Sequence, residues 1–302
     1  MKNHQPLKGL VAAAFTPMDK NGDVNLSVID KYADYIAKNN MQGVFVCGTT
    51  GESLSLTICE RKQILEKWVS AASRRFKVIA HVGCNSVREA IELAAHAEKC
   101  GSDAIAAMPP CFFRPANVKN LIAFFTPIAS SAPDLPFYYY NIPSMAGVDL
   151  SVAEFLSEGA KAMPNLVGTK YTHNNLMEMR DCITLNGGKF EVLHGYDETM
   201  VAGLALGAVA GVGSTYNYIP DVYHGIMNAM SRGDIEKARE LQTRSIEVVK
   251  VIIKHGGGLR GGKAIMNLIG IECGNCRTPV APMTEDEYNS LRKELDEIKF
   301  TL

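Results

Sequence analysis

Residues 77–108 read KVIAHVGCNSVREAIELAAHAEKCGSDAIAAM, and this stretch sets the reading of the whole chain. Lys77–Val82 is a short run rich in Val, Ile and Ala. Continuous apolarity, rather than alternation, is the pattern of a parallel strand buried on both faces. Ser86 then stands as an N-cap for Val87–Lys99, whose apolar positions recur every three or four residues, as on an amphipathic helix. A second apolar run, Ala104–Met108, follows. Strand, helix and strand within about thirty residues make one βα unit leading into the next.

The same alternation extends in both directions. Further apolar runs lie at Gly9–Phe15, Gly43–Cys47, Leu135–Tyr140, Leu166–Lys170, Phe190–His194 and Val209–Val212, each bounded by Gly, Pro, Thr or Asn. Cys59–Arg74 repeats the helical pattern. Eight strands separated by helices predict an α/β fold, a (β/α)8 TIM barrel. A doubly wound sheet stays open as the alternative, because periodicity does not distinguish a closed parallel sheet from an open one. From residue 221 onward the pattern is helical (Asp234–His255, Lys263–Ile269, Glu285–Ile298). Residues 1–302 therefore read as a single domain, with the barrel at about 7–232 and appended C-terminal helices at about 233–302.

Composition narrows the function classes. Lys and Arg total 31 against 32 Asp and Glu, for a net charge of -1, so nothing electrostatic favours a nucleic acid or an anionic membrane. The chain lacks any run of 18 apolar residues, and Met1–Pro6 has no apolar core of leader length, so a cytoplasmic location is expected. The eight cysteines mostly stand singly in apolar surroundings, as buried hydrophobes do in a reducing compartment. Cys273-Gly-Asn-Cys276 has no second ligand pair, so no metal or redox centre is expected there. Gly257-Gly-Leu-Arg-Gly-Gly262-Lys263 imitates a phosphate loop but continues with Ala264 where Ser or Thr is needed, and no strand precedes it. Its glycines read as a turn between helices.

In a barrel the carboxyl ends of the strands form the working face. Polar residues gather there: Gly48-Thr49-Thr50-Gly51-Glu52 after the second strand, Tyr140-Asn141-Ile142-Pro143 after the fifth and Lys170-Tyr171-Thr172 after the sixth. Gly195-Tyr196-Asp197-Glu198 follows the seventh, and Gly213-Ser214-Thr215-Tyr216-Asn217 the eighth. A lysine at the end of a buried strand is desolvated, which favours the neutral amine needed to form a Schiff base. By position alone, Lys170 reads more ordinarily as a lysine snorkelling to solvent, and Tyr140 as a core aromatic. The Thr49–Thr50 turn offers N–H groups and hydroxyls to a carboxylate, or is an ordinary βα turn. Asp197 and Glu198 either bind sugar hydroxyls or cap the following helix.

Taken in order, these motifs resemble the superfamily of Schiff-base aldolases that contains N-acetylneuraminate lyases and dihydrodipicolinate synthases. The resemblance runs from about Leu7 to at least residue 280. It implies Lys170 as the Schiff-base residue and Tyr140 as a proton-transfer group, with Thr49 and Thr50 on the carboxylate. Thr172, Gly195, Asp197, Glu198 and Ser214 would lie on the sugar. Phe137–Pro143 and Lys263-Ala-Ile-Met266 look most like the animal lyases. Met145 stands where the synthases place a carboxylate-binding arginine, and Cys111-Phe112-Phe113 where they have a tyrosine pair. The implied reaction is reversible cleavage of N-acetylneuraminate to N-acetylmannosamine and pyruvate, in a homotetramer, with no cofactor and no metal. Two alternatives remain at this stage: a Schiff-base aldolase acting on another 2-oxo acid, and a non-catalytic barrel that binds a sugar acid.

Overall fold

The computed structural model describes residues 4–300, so Met1–Asn3 of the leader reading and the last two positions of the 1–302 span lie outside the described residues. Eight parallel strands pair in chain order, and the eighth pairs with the first. They are β1 (Gly9–Ala13), β2 (Gly43–Val46), β3 (Lys77–His81), β4 (Ala104–Ala107), β5 (Phe137–Asn141), β6 (Leu166–Tyr171), β7 (Glu191–His194) and β8 (Ala210–Gly213). Closure excludes the doubly wound sheet.

Both faces of every strand are buried, which is why the apolar runs show no alternation. In β1, Val11 and Ala13 join Phe45, Ile79, Ala106, Tyr138 and Tyr140 in one cluster, inside the barrel. Leu10 and Ala12 belong to the other cluster, with Ile29, Ile36 and Tyr139, between strands and helices. The helices start where polar caps put them. Ser86 accepts from the Glu89 N–H at the head of Val87–Cys100, and Thr57 forms a reciprocal capping box with Glu60 at the head of Ile58–Ala72.

Four strands stop short of the apolar runs that announce them. Phe15, Cys47, Val82 and Met108 are buried like strand residues but lie beyond the ladder. At Cys47 the reason is visible: φ is 55°, a left-handed conformation that ends the extended chain. β5, β6 and β8 instead run one residue further than the apolar pattern, to Asn141, Tyr171 and Gly213.

Helix Pro220–Ser231 completes the barrel's outer ring, and helices Ile235–Lys254, Gly257–Leu268 and Glu285–Glu297 follow. The glycine run therefore is not a turn along its length. Gly256 and Gly257 are both left-handed, with φ 92° and 80°, so the turn is confined to them and the rest of the run lies within helix Gly257–Leu268. Lys263, at the end of the second turn, is 1% exposed and lies 2.6 Å from the Glu52 carboxylate, itself 2% exposed. Lys263 also donates to the Asn275 carbonyl at 2.9 Å, and Glu52 accepts the Arg277 N–H at 2.8 Å. One buried ion pair thus fastens the C-terminal helices to the turn after β2.

Replacing one member of such a pair leaves the other charge buried alone, at a cost of about 3–5 kcal/mol. Lys263→Met is expected to lose that much, read from the urea unfolding midpoint and slope. The double variant Glu52→Gln, Lys263→Met should recover at least about half of it. A single-variant loss below about 1 kcal/mol, the range of exposed pairs, would place the pair in water.

Candidate active site

Tyr140 on β5 and Lys170 on β6 are register partners. Tyr140 belongs to the interior cluster, so its neighbour across the ladder faces the interior too. Lys170 is 5% exposed, which removes the snorkelling reading. Its Nζ lies 3.9 Å from the centroid of the Tyr140 ring and 4.7 Å from that of Phe45. The amine is packed against aromatic faces at the upper end of the barrel interior.

The turn after β2 approaches from the other side. Thr49 Oγ1 and the Tyr140 hydroxyl are 3.1 Å apart, so proton exchange between phenol and hydroxyl needs no rearrangement. Left-handed residues bound the turn, Cys47 with φ 55° and Glu52 with φ 59°. Within it Glu52 N–H donates to the Thr49 carbonyl and Ser53 N–H to the Gly48 carbonyl. Thr49 and Thr50 are half-buried, as groups reached by a small anion must be.

The loops after β6, β7 and β8 form the opposite wall. Thr172 is buried, and its Oγ1 has no hydrogen-bond partner. It lies so near Gly195 that a Cβ there would be 2.0 Å from it. Asp197 does not cap the following helix. Its Oδ2 accepts from Thr215 N–H at 2.8 Å and from Thr215 Oγ1 at 2.7 Å, while Oδ1 lies across Gly213, where a Cβ would meet it at 1.9 Å. Glu198 is half-buried beside it. Ser214 begins the next loop and approaches Gly258 of the C-terminal helices. Burial pushes the Asp197 carboxyl up from 3.8 to about 6, against the opposing pull of the Thr215 bonds and the Lys170 charge.

The sequence-predicted residues therefore come together as two walls around a buried amine. Several residues of the site escaped the sequence reading. Glu52 was visible only as the end of a motif, Lys263 only as a false phosphate loop, and Phe45, His81 and Thr215 carried no chemical signal of their own. Among the described residues no group of three or more His, Cys, Asp or Glu could hold a metal ion. The arrangement supplies a nucleophile, a hydroxyl pair for proton transfer, a turn for a carboxylate and polar groups for hydroxyls.

Comparisons with known proteins identify the chain's relatives. Residues 6–298 match the Dihydrodipicolinate synthetase family. The chain is 40% identical over 293 residues to N-acetylneuraminate lyase A of Xenopus laevis, covering 96% of each chain. It superposes on the native structure of N-acetylneuraminate lyase (sialic acid aldolase) from Aliivibrio salmonicida with a TM-score of 0.96, at 37% identity and 99% coverage of both. A structure of the catalytic lysine mutant of Ruminococcus gnavus sialic acid aldolase gives a TM-score of 0.93 at 29% identity, covering all of both chains.

The raised Asp197 carboxyl has a consequence for stability. Its proton is held more tightly folded than unfolded, so the folded state carries no penalty from this group below about pH 4. The penalty grows as pH rises through about 6, reaching on the order of 3 kcal/mol. Asp197→Asn still accepts from Thr215 but does not ionise. It is expected to melt above the native protein at pH 7–8, with the difference vanishing toward pH 4. A pH-independent difference would show that Asp197 is ionised without strain.

Proposed function

The chain belongs to the dihydrodipicolinate synthetase family, and we propose that its barrel mouth carries out the family's Schiff-base chemistry through Lys170. The activity is that of an N-acetylneuraminate lyase, the reversible retro-aldol cleavage of sialic acid to N-acetylmannosamine and pyruvate. The observation that carries the residue assignment is the buried Lys170 amine beside a phenol that is hydrogen-bonded to a threonine hydroxyl. Binding a sugar acid without turning it over needs neither group.

In this reading Lys170 attacks the C2 ketone of the open-chain sugar acid and loses water to form an iminium. The iminium draws the C3–C4 electron pair as the C4 hydroxyl loses its proton, giving N-acetylmannosamine and an enamine. Protonation of the enamine at C3 and hydrolysis release pyruvate and the free amine. Tyr140, backed by Thr49, moves the proton; Thr49 and Thr50 hold the carboxylate. Thr172, Gly195, Asp197, Glu198 and Ser214 receive the polyhydroxyl chain. The tyrosine pair expected of synthases is absent, and Phe112 and Phe113 are 77% and 85% exposed. The relay then draws on Tyr140, Thr49, Ser214, water or the substrate's own carboxylate, and the 3.1 Å contact between Thr49 and Tyr140 favours that pair.

Exposed Met145 supports the preference for a sugar over a second anionic substrate, since a thioether offers no cation at the mouth. The exposed Phe112–Phe113 pair supports an association between copies, in keeping with the homotetramer implied by the family resemblance. No helix among the described residues is long and apolar enough to cross a membrane, in keeping with a cytoplasmic site of action.

Borohydride in the presence of pyruvate is expected to inactivate the protein and to add the reduced pyruvyl mass to the peptide containing Lys170. Lys170→Ala should abolish both label and turnover; a label on another lysine would end the assignment. Tyr140→Phe should lower kcat by about 100- to 10,000-fold while still trapping pyruvate. Turnover equal to that of the native protein would reduce Tyr140 to packing.

A further inference from the structure

His81, the last residue of β3, is 3% exposed and belongs to none of the roles assigned so far. Its Nε2 receives the Met108 N–H at 3.3 Å, and its Nδ1 lies 2.9 Å from the Cys47 carbonyl. A backbone N–H only donates and a carbonyl only accepts, so both bonds exist together in one form alone: the neutral ring with the proton on Nδ1. The ring stands edge-on to Tyr140, with centroids 5.7 Å apart, and tilts against Phe45 at 5.9 Å. Both rings line the Lys170 amine. Gly83 leaves room for this, because a Cβ there would lie 2.9 Å from His81 Nε2 and 2.8 Å from Met108 N.

The bond to Cys47 falls at a telling place. Cys47 is left-handed and immediately precedes the Gly48–Gly51 turn, so the direction of its carbonyl fixes how Thr49 and Thr50 enter the site. Behind His81 sits Arg61, 3% exposed and paired with no carboxylate among the described residues. Its guanidinium donates to the carbonyls of His81 and Gly83 at 2.7 and 3.1 Å and to Cys84 Sγ, and its Nη2 lies 3.5 Å from His81 Nδ1, a longer contact than the 2.9 Å from Nδ1 to the Cys47 carbonyl.

We propose that His81 is the positioning residue of this site, aiming the carboxylate turn through Cys47 and walling Tyr140 and Lys170 with its ring, while Arg61 excludes its doubly protonated form. The groups facing the imidazole are Arg61 from the helix, Lys170 from β6, Tyr140 from β5, Cys47 after β2 and Cys84 after β3. Burial first, then the charges of Arg61 and Lys170, push His81 well below the ordinary histidine range. A proton on Nε2 would set two N–H groups against each other and release Met108.

The inference rests on the proposed Lys170 site, and trapping of pyruvate by the native protein with borohydride tests that site separately. His81→Phe keeps a ring and loses both bonds; His81→Asn keeps a donor for Cys47. KM for N-acetylneuraminate is expected to rise at least tenfold in His81→Phe and to stay within about threefold of native in His81→Asn, with kcat changing less than KM. Arg61→Met is expected to move the acid-side fall of kcat/KM to higher pH, a shift absent in Arg61→Lys and in Arg61→Met, His81→Asn. Equal KM in His81→Phe and native protein, or an unchanged pH profile in Arg61→Met, overturns the proposal while leaving the Lys170 chemistry intact. The native protein labelled with 15N-histidine supplies a test that needs no variant to fold. The imidazole assigned to His81 by through-bond correlation should be the Nδ1–H tautomer and stay neutral where exposed histidines titrate, and any other form overturns the proposal equally.

Discussion

Hydrogen bonding between β1 and β8, with Gly9–Ala12 facing Ala210–Gly213, closes the sheet on itself. Closure leaves no strand edge with unpaired amides, and because every strand runs the same way it sends all eight carboxyl ends to one mouth. Residues as distant in the chain as Thr49, Tyr140, Lys170, Asp197 and Ser214 reach one another only through that constraint. The interior below them is filled by Val11, Ile79, Ala106, Tyr138 and Leu193, so the barrel is a packed pedestal rather than a channel.

Three cations are buried near the mouth, and each is treated differently. Lys263 has a carboxylate, Glu52, and the pair anchors the C-terminal helices. Arg61 has backbone carbonyls and holds the loop after β3. Lys170 has aromatic faces. A carboxylate at hydrogen-bonding distance would engage the Lys170 amine in place of a substrate carbonyl. The division is consistent: the two structural cations are held by a carboxylate or by carbonyls, and the amine proposed to react is left without either.

Asp197 shows the same division from the acidic side. A fully buried carboxyl with only Thr215 to bind it weakens the fold near neutral pH, and it stands among the residues proposed to bind the sugar. Active sites commonly hold groups that the scaffold alone would not choose, and the surrounding packing keeps them in place.

The sequence by itself determined the elements and the inventory of the mouth. Short apolar runs, a serine cap at Ser86 and polar residues after the strands were legible because strand burial, capping and active-face position each leave a local mark. It misjudged strand ends such as Cys47, where a buried side chain continues the apolar pattern after φ has turned positive. It also carried the turn too far along Gly257–Lys263, where only Gly257 is left-handed, since glycine composition signals turns whether or not a helix forms. Only the tertiary structure decided that the sheet closes, that Lys170 lies against Tyr140 and Phe45, that Asp197 binds Thr215, and that Lys263 belongs to Glu52. Each depends on how the fold sets residues of different βα units side by side, and no local pattern encodes which groups then come within a few ångströms.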